Sequence, residues 1–146
     1  MPILSQELLR EIDQTSGLVL ITGPRRCGKS TALREIEAAW RASRVTYRSF
    51  GPNSLCGNEV TLDRASRGYT HLLLDEPYVL PKNFIETRDA PHRCLVIATS
   101  ARTPDMDRYV RLHVGIDSER NVSVTKFPPG YLPRHLSPTI WERLLA

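Results

Sequence analysis

Apolar positions fall along this chain in two spacings. Residues 3–14 place Ile3, Leu4, Leu8, Leu9 and Ile12 near a helical repeat, which predicts a short amphipathic helix with Ser5 as its N-cap. Three residues past Ser5 stands Leu8 rather than Glu or Gln, so the reciprocal capping box is incomplete. Gly17 closes that region. Leu18-Val19-Leu20-Ile21 is wholly apolar, the mark of a strand covered on both faces. After a polar loop, residues 29–42 carry Ala32, Leu33, Ile36, Ala39 and Trp40 along one helical side, with Trp40 expected to pack helix against sheet. Residues 45–50 read as a second strand and Gly51-Pro52-Asn53-Ser54 as a turn. A weaker helix is expected over 59–67, stopped at Gly68, and a buried strand over His71-Leu72-Leu73-Leu74.

Residues 81–89 suit a short helix with Pro81 in its first turn. Cys94 to Ala98 is another doubly covered strand, Tyr109 to Val114 alternates as a strand should, and Val122 to Thr125 is a fainter candidate. From Phe127 the pattern changes. Pro128, Pro129, Gly130, Pro133 and Pro138 interrupt it, and 138–145 suit a last helical turn or two.

Apolar runs alternating with helical segments predict an α/β fold, a three-layer sandwich around a mainly parallel sheet of about five strands. The length of 146 residues is that of one domain. The expected division is a body over 1–126 and a proline-rich arm over 127–146. Tyr131, Trp141, Leu144 and Leu145 make that arm the candidate assembly contact.

One loop carries most of the chemistry. Gly23-Pro24-Arg25-Arg26-Cys27-Gly28-Lys29-Ser30 fits G-x-x-x-x-G-K-[ST] at every fixed position, with a strand before it and a helix after it. Chance produces such a string in a chain this long on the order of one time in a hundred or less, given glycine's usual abundance. Glycines let the backbone turn tightly around a polyphosphate, and successive N–H groups then point inward at a helix N-terminus. Lys29 is expected on the β- and γ-phosphates, the Ser30 hydroxyl on Mg²⁺, and Thr31 nearer the nucleoside. Arg25 and Arg26 hold variable positions, suited to nucleotide, to a neighbouring subunit, to a DNA phosphate or to solvent. Cys27 reads as a small residue that fits.

Asp75 and Glu76 follow three leucines at the C-terminal end of an expected strand. Ligands of open α/β sheets bind outside that edge, so Asp75 is the candidate second metal ligand and Glu76 the group that polarises an attacking water. An intracellular enzyme that binds ATP with Mg²⁺ is the reading these residues favour.

This combination resembles the additional-strand, catalytic-glutamate division of P-loop NTPases. The resemblance implies a further strand between the phosphate-loop strand and the Asp-Glu strand. Cys94 to Ala98 is the candidate for it, and Thr99 or Ser100 at its tip would sense the γ-phosphate. Ile21 to Thr31 is similar to the loop of certain prokaryotic AAA-type ATPases. Ile97-Ala98-Thr99-Ser100-Ala101-Arg102-Thr103-Pro104 is similar to the coupling motif of viral packaging and helicase-like DNA motors. These resemblances imply a minimal, oligomeric ATPase coupled to nucleic acid, with Arg102 or Arg108 as an arginine finger across a subunit interface. The Gly-Pro-x-x-x-Gly-Lys-Ser-Thr loop also resembles the thymidine kinase layout, which leaves a nucleotide or nucleoside kinase open. A nucleotide-binding switch or structural subunit with little turnover stays open as well.

Composition changes this picture little. Charged residues are 25% and hydrophobic ones 40%, as in ordinary globular proteins. The net charge of +4 and pI near 9.2 permit a nucleic-acid partner without requiring one. Arg outnumbers Lys 17 to 3, which suits either coding bias or bidentate phosphate contacts. Three cysteines with no C-x-x-C pair, and four histidines without ligand spacing, point away from a disulfide framework or zinc site and toward a reducing, cytoplasmic compartment. Neither a membrane span nor a secretory signal is expected.

Overall fold

The computed structural model describes residues 2–51, 59–77 and 80–127. Helix α1 spans Gln6–Gln14. The Ser5 hydroxyl caps it by accepting from the Leu8 amide, and Leu8 and Ile12 form its buried side. Strand β1, Gly17–Thr22, leads into helix α2, Lys29–Ala42. Strand β2 (Tyr47–Phe50), helix α3 (Glu59–Ser66) and strand β3 (His71–Asp75) follow, then helix α4 (Phe84–Arg88) and strand β4 (Cys94–Thr99). Helix α5 (Pro104–Tyr109) runs straight into strand β5 (Val110–Ile116), and strand β6 is Val122–Lys126.

The six strands form one sheet in the order β2-β3-β4-β1-β5-β6. Five run parallel, and β6 pairs antiparallel with β5. The faint strand candidate at 122–125 is therefore real and takes an edge, where a mostly exposed strand is tolerated. It makes the sheet one strand larger than the expected five. The strand at Cys94 does lie between β1 and β3.

Alternation explains why the central strands read as apolar throughout. Val19 and Ile21 face a core shared with Leu8, Ile12, Ile36 and Trp40, so α1 and α2 cover that side. Leu18 and Leu20 face a second core with Leu62, Phe84 and Met106, from α3, α4 and α5. Each strand residue thus meets a helix on one face or the other, giving three layers. Trp40 is 1% exposed and meets the edge of His71 at 4.9 Å between ring centroids, as its expected packing role requires. Burying a side chain of this kind contributes about 1.5–3 kcal/mol each.

Helix α5 is a departure from the sequence reading, which passed from loop to strand at Tyr109. Thr103 caps the helix by accepting from the Met106 amide, Pro104 opens it, and Asp105 and Asp107 sit in its first turn. All three are favourable at a helix start. Phe127, the first residue of the expected arm, is 7% exposed and packs in the second core. The rest of the arm, with Tyr131 and Trp141, lies outside the described residues, as do the turn at 52–54 and Cys56. Among the described residues no helix is long and apolar enough to cross a membrane.

Candidate functional site

Parallel pairing brings the C-terminal ends of the central strands to one edge. Thr22 pairs with Thr99 across β1 and β4, and Asp75 with Ala98 across β3 and β4. The loop 23–28 leaves β1 at this edge and delivers the N-terminus of α2 to it. A cleft of about 840 Å³ opens there, lined by the loop, by Asp75 to Pro77, by Thr99 to Ala101 and Thr103, and by Arg120.

The loop's two glycines are needed for different reasons. A side chain at Gly23 would overlap the Ile116 carbonyl and come within 2.6 Å of Cys27 Sγ, so space alone requires glycine. Gly28 has φ of 108°, in the left-handed region that glycine adopts readily. It stands at the N-cap of α2 with no side-chain cap. The amides of the first helical turn have no partner within the helix; here they border the cleft, and the helix dipole favours an anion beside them.

Lys29 is 6% exposed. Its ammonium donates to the carbonyls of Gly23 and Pro24, each at 2.8 Å, and lies 4.0 Å from Glu76 Oε1. The amine is therefore held at the loop's centre by the loop's own backbone. Ser30 is exposed, and its hydroxyl donates to Asp75 Oδ2 at 2.9 Å. Thr31 lines the cleft and accepts from Arg34 at 3.3 Å. Cys27 is buried, its amide bonded to the Pro24 carbonyl. Arg25 and Arg26 are exposed at the cleft margin.

Glu76 takes a left-handed turn, φ 47°, immediately after β3, and its amide donates to the Ala98 carbonyl at 2.8 Å. That turn carries its carboxylate back to the tip of β4. There the Ser100 amide donates to Oε1 at 2.9 Å, and the Thr99 hydroxyl lies 3.3 Å from Oε2. Thr99 is 2% exposed and also lies 3.0 Å from the Ala101 carbonyl. Its single proton serves one acceptor at a time.

The loop residues 23–31, Asp75, Glu76, Thr99 and Ser100 thus border this one cleft or form the loop beneath it, whereas the arginine-finger candidates Arg102 and Arg108 do not line it. Mg²⁺ prefers hard oxygen ligands and keeps much of its water and phosphate shell. The Ser30 hydroxyl and Asp75 carboxylate suit it. Among the described residues no group of three or more His, Cys, Asp or Glu side chains is placed to hold a metal by itself. The two arginine-finger candidates are both exposed, and Arg102 is bound to Asp107 within its own chain at 2.5 Å.

Sequence reasoning missed Arg120, and it named Thr103 only within the run that resembles a coupling motif, not as a cleft residue. Arg120 sits on the turn between β5 and β6, far along the chain from the loop it approaches. Asp117 organises that turn by accepting from the amides of Glu119 and Asn121 at 2.9 and 2.8 Å. The bond from Asn121, above all, holds the Asp117 carboxyl below its ordinary pKa. An Asp opening a short turn is a legible signal; its proximity to the loop at 23–28 is not. At the end of β1 the Thr22 hydroxyl meets His113 Nε2 of β5 at 2.7 Å. Burial, assisted by Arg102, lowers the pKa of His113.

No protein-family model matches this sequence, and comparison with curated proteins finds no significant relative.

Proposed function

We propose that this chain is a minimal P-loop ATPase that binds ATP with Mg²⁺ and hydrolyses it. The observation that carries the reading is the Ser30–Asp75 hydrogen bond beneath the loop. It joins the two oxygen ligands that a loop of the form G-x-x-x-x-G-K-S and a strand-end Asp supply to a nucleotide-bound metal. The loop amides hold the phosphates and Lys29 neutralises them. When bound, Mg²⁺ supplies further charge neutralisation across the β- and γ-phosphates. Glu76, with its carboxylate oriented from Thr99 and Ser100, positions a water and accepts its proton as that water attacks.

Two features support the additional-strand, catalytic-glutamate reading. The inserted strand β4 separates β1 from β3, and its tip bonds to Glu76. Coupling to nucleic acid and assembly into an oligomer complete the proposal. The basic balance of the chain supports the first, and the exposed Arg108 is available for the second.

A nucleotide-binding switch with slow turnover is the second reading. Lys29 turned onto two loop carbonyls and Glu76 tied to the β4 tip favour it. Phosphate release from ATP by wild type and Glu76→Gln, with and without single- and double-stranded DNA and RNA, separates the two. Release stimulated by nucleic acid and abolished in Glu76→Gln supports the motor. ATP binding without release under any condition overturns hydrolysis and leaves the switch, or a kinase awaiting its acceptor.

A further inference from the structure

The β5–β6 turn leans on the phosphate loop at both ends. The Ile116 carbonyl, where β5 finishes, packs against Gly23 so closely that no side chain fits between them. At the other end, Arg120 Nε lies 3.8 Å from where a Cβ on Gly28 would stand. A cation from a distant part of the chain is therefore brought to the last glycine before Lys29.

Arg120 is exposed at the margin of the cleft. The turn beneath it is fixed: the Arg120 amide donates to the Asp117 carbonyl, and Asp117 and Asn121 close the turn with a 3.0 Å backbone bond. Arg120 itself has φ of 66°, a conformation that costs a non-glycine residue energy. Among the described residues no carboxylate pairs with its guanidinium. The acids that share its cleft are engaged elsewhere, Asp75 by Ser30 and Glu76 by the β4 tip. An arginine fork matches phosphate oxygens and remains charged at any working pH.

We infer that Arg120 is a phosphate-contacting residue supplied in cis, reaching the polyphosphate beside Gly28. The inference rests on the nucleotide-binding reading above and adds a residue to it. Charge on the bound phosphates is met by Lys29 from within the loop and by Arg120 from the β5–β6 turn. Binding then needs no arginine from a second subunit.

The test is titration of the full chain with a fluorescent ATP analogue and Mg²⁺, with inorganic tripolyphosphate and AMP as competitors. Wild type is compared with Lys29→Ala, Arg120→Ala and Arg120→Lys. Arg120→Ala is expected to weaken ATP analogue and tripolyphosphate together by about tenfold or more, the loss of one charge-assisted contact. Arg120→Lys should recover part of that loss, with unchanged melting midpoints. Wild-type affinity of Arg120→Ala for both ligands overturns the inference while leaving nucleotide binding intact, provided Lys29→Ala still loses it. Weakened ATP analogue with unchanged tripolyphosphate also overturns it, assigning Arg120 to the nucleoside. Wild type that binds neither ligand overturns the nucleotide reading itself. Arg120→Gln, which keeps most of the stem, replaces Arg120→Ala should that variant fail to fold.

Discussion

Ser30 and Asp75 stand 45 positions apart and share a 2.9 Å hydrogen bond. The first opens a helix and the second ends a strand, so the bond ties the two segments that border the cleft. Both groups are solvent-accessible, so the bond contributes little to folding, about 0.5–1.5 kcal/mol. Asp75→Ala is accordingly expected to melt close to wild type. The same variant should lose most Mg²⁺-dependent phosphate release. Parallel melting and release assays check both halves, and an active Asp75→Ala removes Asp75 from the metal site.

Lys29 donates to two loop carbonyls from a nearly enclosed position. Lys29→Ala removes the ammonium and leaves those carbonyls without it. ATP affinity should fall by at least about tenfold, and the loop should lose order, as charge-assisted contacts of this kind contribute about 1.5–3 kcal/mol. Calorimetric titration with ATP and Mg²⁺ measures the first effect. Hydrogen exchange of the loop amides measures the second.

Two glycines predict a contrast. Gly23→Ala forces a methyl group against the Ile116 backbone and the Cys27 sulfur. Backbone cannot yield as a flexible side chain does, so about 1–3 kcal/mol of stability should be lost. Gly68→Ala meets nothing within 4 Å but must hold φ of 85°. Its cost is conformational alone, about 1 kcal/mol. Denaturant titration should therefore rank Gly23→Ala as the more damaging. The reverse order contradicts the tight contact between the loop and β5.

Acid should weaken the fold through two histidines. His71 has its pKa lowered chiefly by burial, against the pull of Asp13 and with the help of Arg88. His113 is lowered by burial and by Arg102, with Asp107 opposing. In both, the native state binds protons less readily than the unfolded chain, whose reference value is 6.5. Their stabilising contribution is complete above that value and is lost as pH falls through the lower folded values. Melting temperature should therefore drop on going from pH 7 toward 5, and His113→Gln should flatten part of that slope. A slope identical in His113→Gln and wild type assigns the effect to other groups.

The doubly covered strands were legible because they have no polar face to blur them. Leu72, Leu73 and Leu74 each meet one of the two cores, so a run of leucines leaves no register ambiguity. Ser5 was legible because capping is local. Helix α5 escaped because it is six residues long and buries Met106 alone, too short for a periodicity to emerge. The motif residues of the loop and the Asp-Glu pair were readable as types in a spacing. The contacts of Glu76 with Thr99 and Ser100, and the approach of Arg120 to Gly28, were not. They arise where strands distant in sequence end side by side, and spacing along a chain does not encode that.

Glu76 holds a left-handed backbone angle at the end of β3. Glycine would relax there, and a glutamate costs about 1–2 kcal/mol by comparison. Glu76→Gly gives up the contacts with the β4 tip in exchange for that relief. Among the described residues Arg26, Arg44, Asn83, His92 and Arg120 also hold a left-handed angle, and of these six Glu76 alone brings a carboxylate to the cleft.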